Sequence, residues 1–148
     1  MRMLAFLPLL LAACPSWTPL RQTAQCPEGY VPIDRARGEF DGRAISAGGV
    51  VIAIRTRKNE QEASTEFWTQ VITKELTELQ GYAVRSSKEL HGGRAILFSA
   101  PQERMTSYYV ALFVKSTFVI TVEIAGPQAE VERDLPRLEA YIGTLKLS

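Results

Sequence analysis

Apolar positions along the chain follow two periods, and each change of period marks an element. Between Ala44 and Arg57 they suit extended chain: Ala44-Ile45-Ser46-Ala47 and Val50 to Arg57 read as two strands, joined at Gly48-Gly49. Paired glycines there supply the positive backbone angles of a two-residue hairpin turn. Val50, Ile52 and Ile54 share one face of the second strand, and Val51, Ala53 and Arg55 share the other. The period then lengthens to that of a helix. Asn59 is placed to cap it, with Glu62 able to reach back, and Gly81 stands where a left-handed stop residue belongs. Trp68, Ile72, Leu76 and Leu79 form an apolar stripe widened by Phe67 and Val71, with Glu62, Glu66, Gln70, Thr73 and Thr77 mostly opposite.

Extended pattern returns at Tyr82. Tyr82 to Lys88 and Arg94 to Ser99 read as strands about a turn at His91-Gly92-Gly93. Met105 to Lys115 and Phe118 to Ile124 read as a long hairpin turning at Lys115-Ser116-Thr117; their β-branched and aromatic runs belong near a sheet centre. From Pro127 to Ile142, Val131, Leu135, Leu138 and Ile142 recur at helical spacing. Pro136 has no amide hydrogen and predicts a kink or two short helices, and Gly143 ends the segment. Strands grouped around two helices, rather than alternating strictly with them, predict an α+β fold: an antiparallel β-sheet with a long helix and a C-terminal helix packed on it.

Ahead of these elements, Met1-Arg2 precedes the apolar run Met3 to Leu10 and then Leu11-Ala12-Ala13-Cys14. One charge, a run too short for a bilayer core roughly 30 Å thick, and two small residues make a secretory leader. The Leu11-Ala12-Ala13-Cys14 box resembles that of bacterial lipoproteins. The resemblance implies cleavage before Cys14, attachment of diacylglycerol to its sulfur and acylation of its new amino group, so that the chain is held on a membrane by lipid. It also implies an outer-membrane rather than inner-membrane destination, because Pro15 and not aspartate follows. An ordinary secreted leader ending near a cysteine is the alternative. The expected division is residues 1–13 as signal peptide, 14–40 as lipidated N-terminus and tether, and 41–148 as one domain, with Pro15, Pro19 and Pro27 in the tether and a polar loop from Arg35 to Arg43.

Charge removes one class of partner. Without Arg2 the chain carries sixteen basic and sixteen acidic side chains, and Arg21, Arg35, Arg37, Arg43, Arg55 and Arg57 are interleaved with Glu28, Asp34, Glu39 and Asp41, so nucleic acid is not an expected partner. With Cys14 acylated, Cys26 has no internal partner: it is inert, or it pairs with another chain. His91 is the sole histidine, and no zinc spacing, phosphate loop, nucleophile elbow or calcium loop occurs. No catalytic, metal or cofactor site is therefore expected. His91 reads as a surface turn residue, and Glu75 and Glu78, three apart on the long helix, as solvated charges; a small hydrolase using His91 or that acidic pair is the third functional reading.

The order of hairpin, long helix closed by Gly81-Tyr82, Gly92-Gly93 turn into a strand ending near Phe98, long hairpin, and last helix ending in Ile142-Gly143-Thr144-Leu145-Lys146 resembles the PsbP-like α/β/α sandwich superfamily. The likeness covers roughly residues 40 to 147. That superfamily includes the extrinsic photosystem II protein, a Ran-binding nuclear import factor and the DcrB-like envelope lipoproteins of bacteria. It implies a non-enzymatic interaction or assembly module that holds a protein partner, here in the bacterial cell envelope. The second functional reading is a carrier that takes a small apolar ligand or lipid tail between the long helix and the sheet.

Overall fold

The computed structural model describes residues 26–33, 40–101, 106–145 and 147. The leader and the expected lipidation site Cys14 lie outside them. Among the described residues, strands β1 (Tyr30–Pro32), β2 (Gly42–Ser46), β3 (Val51–Lys58), β4 (Ala83–Leu90), β5 (Gly93–Ser99), β6 (Thr106–Val114) and β7 (Phe118–Pro127) form one antiparallel sheet, in the order β1-β2-β3-β7-β6-β5-β4. Helix α1 (Thr65–Lys74) runs on into a π-helical segment (Glu75–Leu79), and α2 spans Gln128–Thr144. This is the α+β antiparallel architecture expected from the sequence. The β6-β7 hairpin lies near the middle of that order, and most of its side chains are buried on one face or the other.

Alternation along the strands sends each helix a different set of side chains. Ile52, Ile54, Tyr109, Ala111, Phe113, Ile120, Val122 and Ile124 pack with Val131, Leu138 and Ile142 of α2. On the opposite face a smaller cluster joins Leu76 to Ile96, Phe98 and Val110. The sheet is thus sandwiched between two helices.

Five local features depart from the sequence reading. Asn59 is not the helix cap; it is buried, its Oδ1 accepting from Ala63 N (2.9 Å) and Trp68 Nε1 (3.1 Å) while its Nδ2 donates to the carbonyls of Ala63 (3.0 Å) and Lys115 (3.1 Å). The cap is Ser64, whose Oγ accepts from Phe67 N at 3.2 Å, because Glu62 at φ 48° holds the preceding chain off the helical path. The apolar stripe of α1 is only partly covered: Phe67 and Val71 remain 52% and 37% exposed, and Leu79, in the wider π turn, is 79% exposed. The β2-β3 hairpin closes between Ser46 and Val50 around a three-residue loop, with Gly49 alone at positive φ. Helix α2 runs through Pro136 as one element and reaches Thr144; Pro136 lies on the exposed side, and buried Val131, Asp134, Leu138 and Ile142 hold both halves on the sheet.

The fifth departure concerns residues 26–33, which the sequence reading assigns to the tether. They pack on the domain, with β1 as an edge strand and Cys26 half-buried against the α2-side core. Tyr30 donates its hydroxyl hydrogen to Asp134 Oδ2 (2.8 Å), and Arg137 reaches both Asp134 (3.1 Å) and the Glu28 carbonyl (2.5 Å). A three-residue strand that follows Pro27 and ends in Pro32 has too little pattern to be seen in sequence.

Candidate functional site

Helix α1 rests on β5 and β6, so the part of the same sheet face formed by β1, β2 and β3 lies beyond it, and Val31 there is 62% exposed. Strand alternation and register set a polar row across this face: Arg43 on β2, Arg55 on β3, Thr121 and Glu123 on β7, and Tyr108 on β6. Glu123 is its hub. One carboxylate oxygen accepts the Tyr108 hydroxyl at 2.7 Å; the other accepts Thr121 Oγ1 at 3.2 Å and lies 3.6 Å from Arg55 Nε. The guanidiniums of Arg55 and Arg43 sit 4.4 and 5.1 Å from the centre of the Phe40 ring, a cation–π arrangement that holds both on the face. Tyr82 packs its ring 5.8 Å from that of Tyr108.

Burial, and then the neighbouring Glu123 charge and hydrogen bond, push the Tyr108 hydroxyl far above the ordinary phenol range. It stays protonated and keeps donating. The row is therefore a set of mutually paired donors, acceptors and charges that is largely covered: Thr121 is 4% exposed, and the Arg55 and Glu123 side chains 20% and 16%.

On α1 itself, Trp68 and Ile72 are half-buried toward the sheet and Leu76 is buried. The Phe67 ring stands edge-on to Trp68 at 6.0 Å on the outward flank. Glu75 and Glu78 are exposed, Glu78 lying 3.8 Å from Lys74, so both are solvated charges as the sequence reading has them. The space between α1 and the sheet is filled by Leu76, Ile96, Phe98 and Val110, the place where the carrier reading requires a cleft.

His91 sits in the β4-β5 turn, where His91 (φ 48°) and Gly92 (φ 79°) supply the two positive angles of a type I′ turn. Its ring lies against Gly143 of α2, and Nε2 is 3.1 Å from the Glu139 carbonyl oxygen. It borders an open cavity of about 410 Å³ lined also by Phe113, Val114, Lys115, Ile142 and Leu145. The nearest carboxylate on that helix, Glu139, is already held by Lys88 (2.7 Å) and by the Tyr109 hydroxyl (2.8 Å). His91 belongs to the α2 side and Glu75 and Glu78 to the α1 side, so the acid–base candidates are not brought together. Among the described residues no group of three or more His, Cys, Asp or Glu could hold a metal ion, and no helix is long and apolar enough to cross a membrane.

Two polar centres were missed in the sequence, yet each left a signal. Glu123 is the one charge inside the apolar run Phe118 to Ala125, and Asp134 falls on the stripe of Val131 and Leu138. A carboxylate at a core position needs partners, and here they are Tyr108, Thr121 and Arg55 for one, and Tyr30, Arg133 and Arg137 for the other.

No family model matches the chain, and no curated protein matches it in sequence. Its fold does match solved structures. LpqN, described as involved in cell envelope biogenesis of Mycobacterium tuberculosis, superposes with a TM-score of 0.56 at 12% identity, over 77% of this chain and 75% of that one. The cyanobacterial PsbP protein of Synechocystis sp. PCC 6803 superposes with a TM-score of 0.51 at 9% identity, over 81% and 82%. The fold is thus PsbP-like, as the order of elements implies. At these identities the likeness is one of fold.

Proposed function

We propose that the protein is a bacterial envelope lipoprotein, anchored through acylated Cys14, whose PsbP-like domain is a non-enzymatic module that binds a protein partner. The observation that carries this reading is the asymmetry of the two sides: α2 buries its apolar row, whereas Phe67, Val71 and Leu79 along α1 and Val31 on β1 stay exposed. The Leu11-Ala12-Ala13-Cys14 box supports the anchor, and the likeness to LpqN, itself described as an envelope biogenesis protein, supports the compartment. An outer-membrane location follows from Pro15 if the lipoprotein sorting rule applies. The test is metabolic labelling with a fatty acid together with cross-linked purification from membranes. Wild type is expected to be labelled and to recover one stoichiometric partner, and Cys14→Ser is expected to lose the label and leave the membrane. An unlabelled wild-type chain, or one recovered alone after cross-linking, overturns the reading.

A further inference from the structure

We infer that the outward flank of α1, built on Phe67 and Val71, is the docking surface for a basic amphipathic segment of a protein partner. The inference rests on the interaction-module reading and deepens it by naming the surface and the chemistry of what it takes.

Three observations carry it. First, α1 has more apolar side chain than its contact with the sheet uses: none of Thr65–Lys74 is buried, and Phe67 and Val71, four residues apart and hence on one flank, remain 52% and 37% exposed. The π-helical turn adds to this flank, since its wider winding carries Leu79 out of the sheet-facing row of Trp68, Ile72 and Leu76 and leaves it 79% exposed. An aromatic and an aliphatic anchor at i and i+4 form the pattern by which one amphipathic segment takes another.

Second, the charge of this region is opposite to that of the remaining chain. Residues 59–80 contain Glu60, Glu62, Glu66, Glu75 and Glu78 against the single base Lys74, whereas the other residues hold sixteen Lys and Arg against eleven Asp and Glu. All six of these charged side chains are exposed; from outside the segment Lys58 lies 3.8 Å from Glu60 and Arg94 acts on Glu66, which leaves five acids against three bases. An apolar strip set in an acidic surround selects a partner whose own apolar row is flanked by Lys or Arg, and it disfavours both an anionic lipid surface and the same flank of a second copy.

Third, the chain enters the domain elsewhere. Cys26 and Tyr30 pack into the α2-side core, so the described chain starts on the opposite face of the sheet from α1.

The test places a photoreactive benzoyl-phenylalanine at Gln70, beside Phe67 and Val71, or at Ala140, exposed on α2, in the full-length protein in living cells. The expected adduct forms from Gln70 and maps to a segment with apolar residues at helical spacing flanked by Lys or Arg. Its yield falls about tenfold with Phe67→Ser, the loss of a docking anchor. It falls about threefold with Glu75→Gln and Glu78→Gln together, the loss of complementary charge. The second variant changes only exposed side chains and keeps the test valid should Phe67→Ser disturb folding. Adducts from Ala140 alone, or no protein adduct at either position, overturn the inference; the interaction-module reading then stands or falls on the cross-linked purification. An adduct from Gln70 to lipid, to a second copy or to an acidic segment, or one indifferent to both variants, overturns the inference.

Discussion

The two helices lie on the same sheet and are fastened to it in different ways. Helix α2 buries Val131, Leu138 and Ile142 almost completely and adds a polar layer: Asp134 between Tyr30, Arg133 and Arg137, Glu132 with Arg85, and Glu139 with Lys88 and Tyr109. Helix α1 buries Leu76, tucks Trp68 and Ile72 halfway, and is tied at its start by the four hydrogen bonds of Asn59. One face of the molecule therefore carries stability, and the other keeps surface in reserve. Apolar area left in water contributes nothing to the fold at about 25 cal/mol per Å², so Phe67, Val71 and Leu79 stabilise the domain less than the buried row of α2 does.

The largest expected contrast sets one helix against the other. Leu138→Ala empties a fully buried site on α2 and is expected to lower stability by about 2–5 kcal/mol in urea denaturation. Phe67→Ser, on the outward flank of α1, is expected to change it by less than about 1 kcal/mol. Equal losses would mean that α1 contributes to the core as much as α2 does, and the division of labour between the faces would fail.

A smaller effect sharpens the picture of how α1 is held. Asn59→Ala removes the acceptor of Ala63 N and Trp68 Nε1 and the donor to the Lys115 carbonyl in a site that is 2% exposed. Leaving those buried groups unpaired is expected to cost about 1–3 kcal/mol. In a Trp17→Phe background the Trp68 emission should shift to the red as α1 loosens and its indole meets water; an unshifted spectrum would show that α1 is seated without Asn59.

Much of the sheet was legible because period two is a local signal. Strands β3 to β7 and their turns follow from it, and both helices follow from the longer helical period. What escaped was relational. Periodicity marks Phe67, Val71 and Leu79 as apolar but cannot say how far across α1 the sheet reaches. Asn59 looks like a cap because Glu62 stands three residues on, yet one of its partners is the carbonyl of Lys115, far along the chain. Edge strand β1 is three residues long and has Pro32 within it, so it reads as tether. At the candidate site, His91 and the Glu75–Glu78 pair are turn and solvated residues as read. The hub Glu123 emerges only when β3, β6 and β7 are laid side by side.

pH offers a third comparison, because the polar layer on α2 titrates at both extremes. Burial, and then the bond to Asp134, pushes the Tyr30 hydroxyl up to about 12. A folded-state pKa raised above the unfolded value of about 10 gives stability that is complete below pH 10 and is lost as pH rises toward 12. Tyr108, Tyr109 and Tyr141, each raised first by burial, act in the same direction. Asp134 works at the other end: burial opposes its charge, but Tyr30, Arg133 and Arg137 outweigh that and hold its carboxyl below the usual range. Its contribution is present above the ordinary carboxylate pKa of about 3.9 and is lost as pH falls through the lowered value. Phenolate absorbance should accordingly rise together with alkaline unfolding, and Tyr30→Phe with Asp134→Asn should flatten both limbs. Free ionisation of these tyrosines near pH 10 in the folded protein would contradict the buried assignments.

The smallest expected effect is also the most pointed, since it reverses sign. Gly143 is the last residue but one of α2, where glycine is less favourable than alanine by at most roughly 1 kcal/mol. Its missing side chain makes room for His91, whose ring atoms lie 2.7 Å from where a Cβ would stand. His91 itself holds a positive φ of 48°, which a residue with a Cβ adopts at some expense, so two local costs meet at one contact between the β4-β5 turn and the end of α2. Gly143→Ala alone should therefore destabilise by about 1 kcal/mol, as the added methyl displaces the ring and breaks the bond from Nε2 to the Glu139 carbonyl. In a His91→Gly background, with the ring gone, the same substitution should stabilise by up to about 1 kcal/mol through helix propensity alone. Additive effects in this double-mutant cycle would show that turn and helix are independent, whereas the sign reversal would make His91 the wedge that joins the hairpin to the closed face of the molecule.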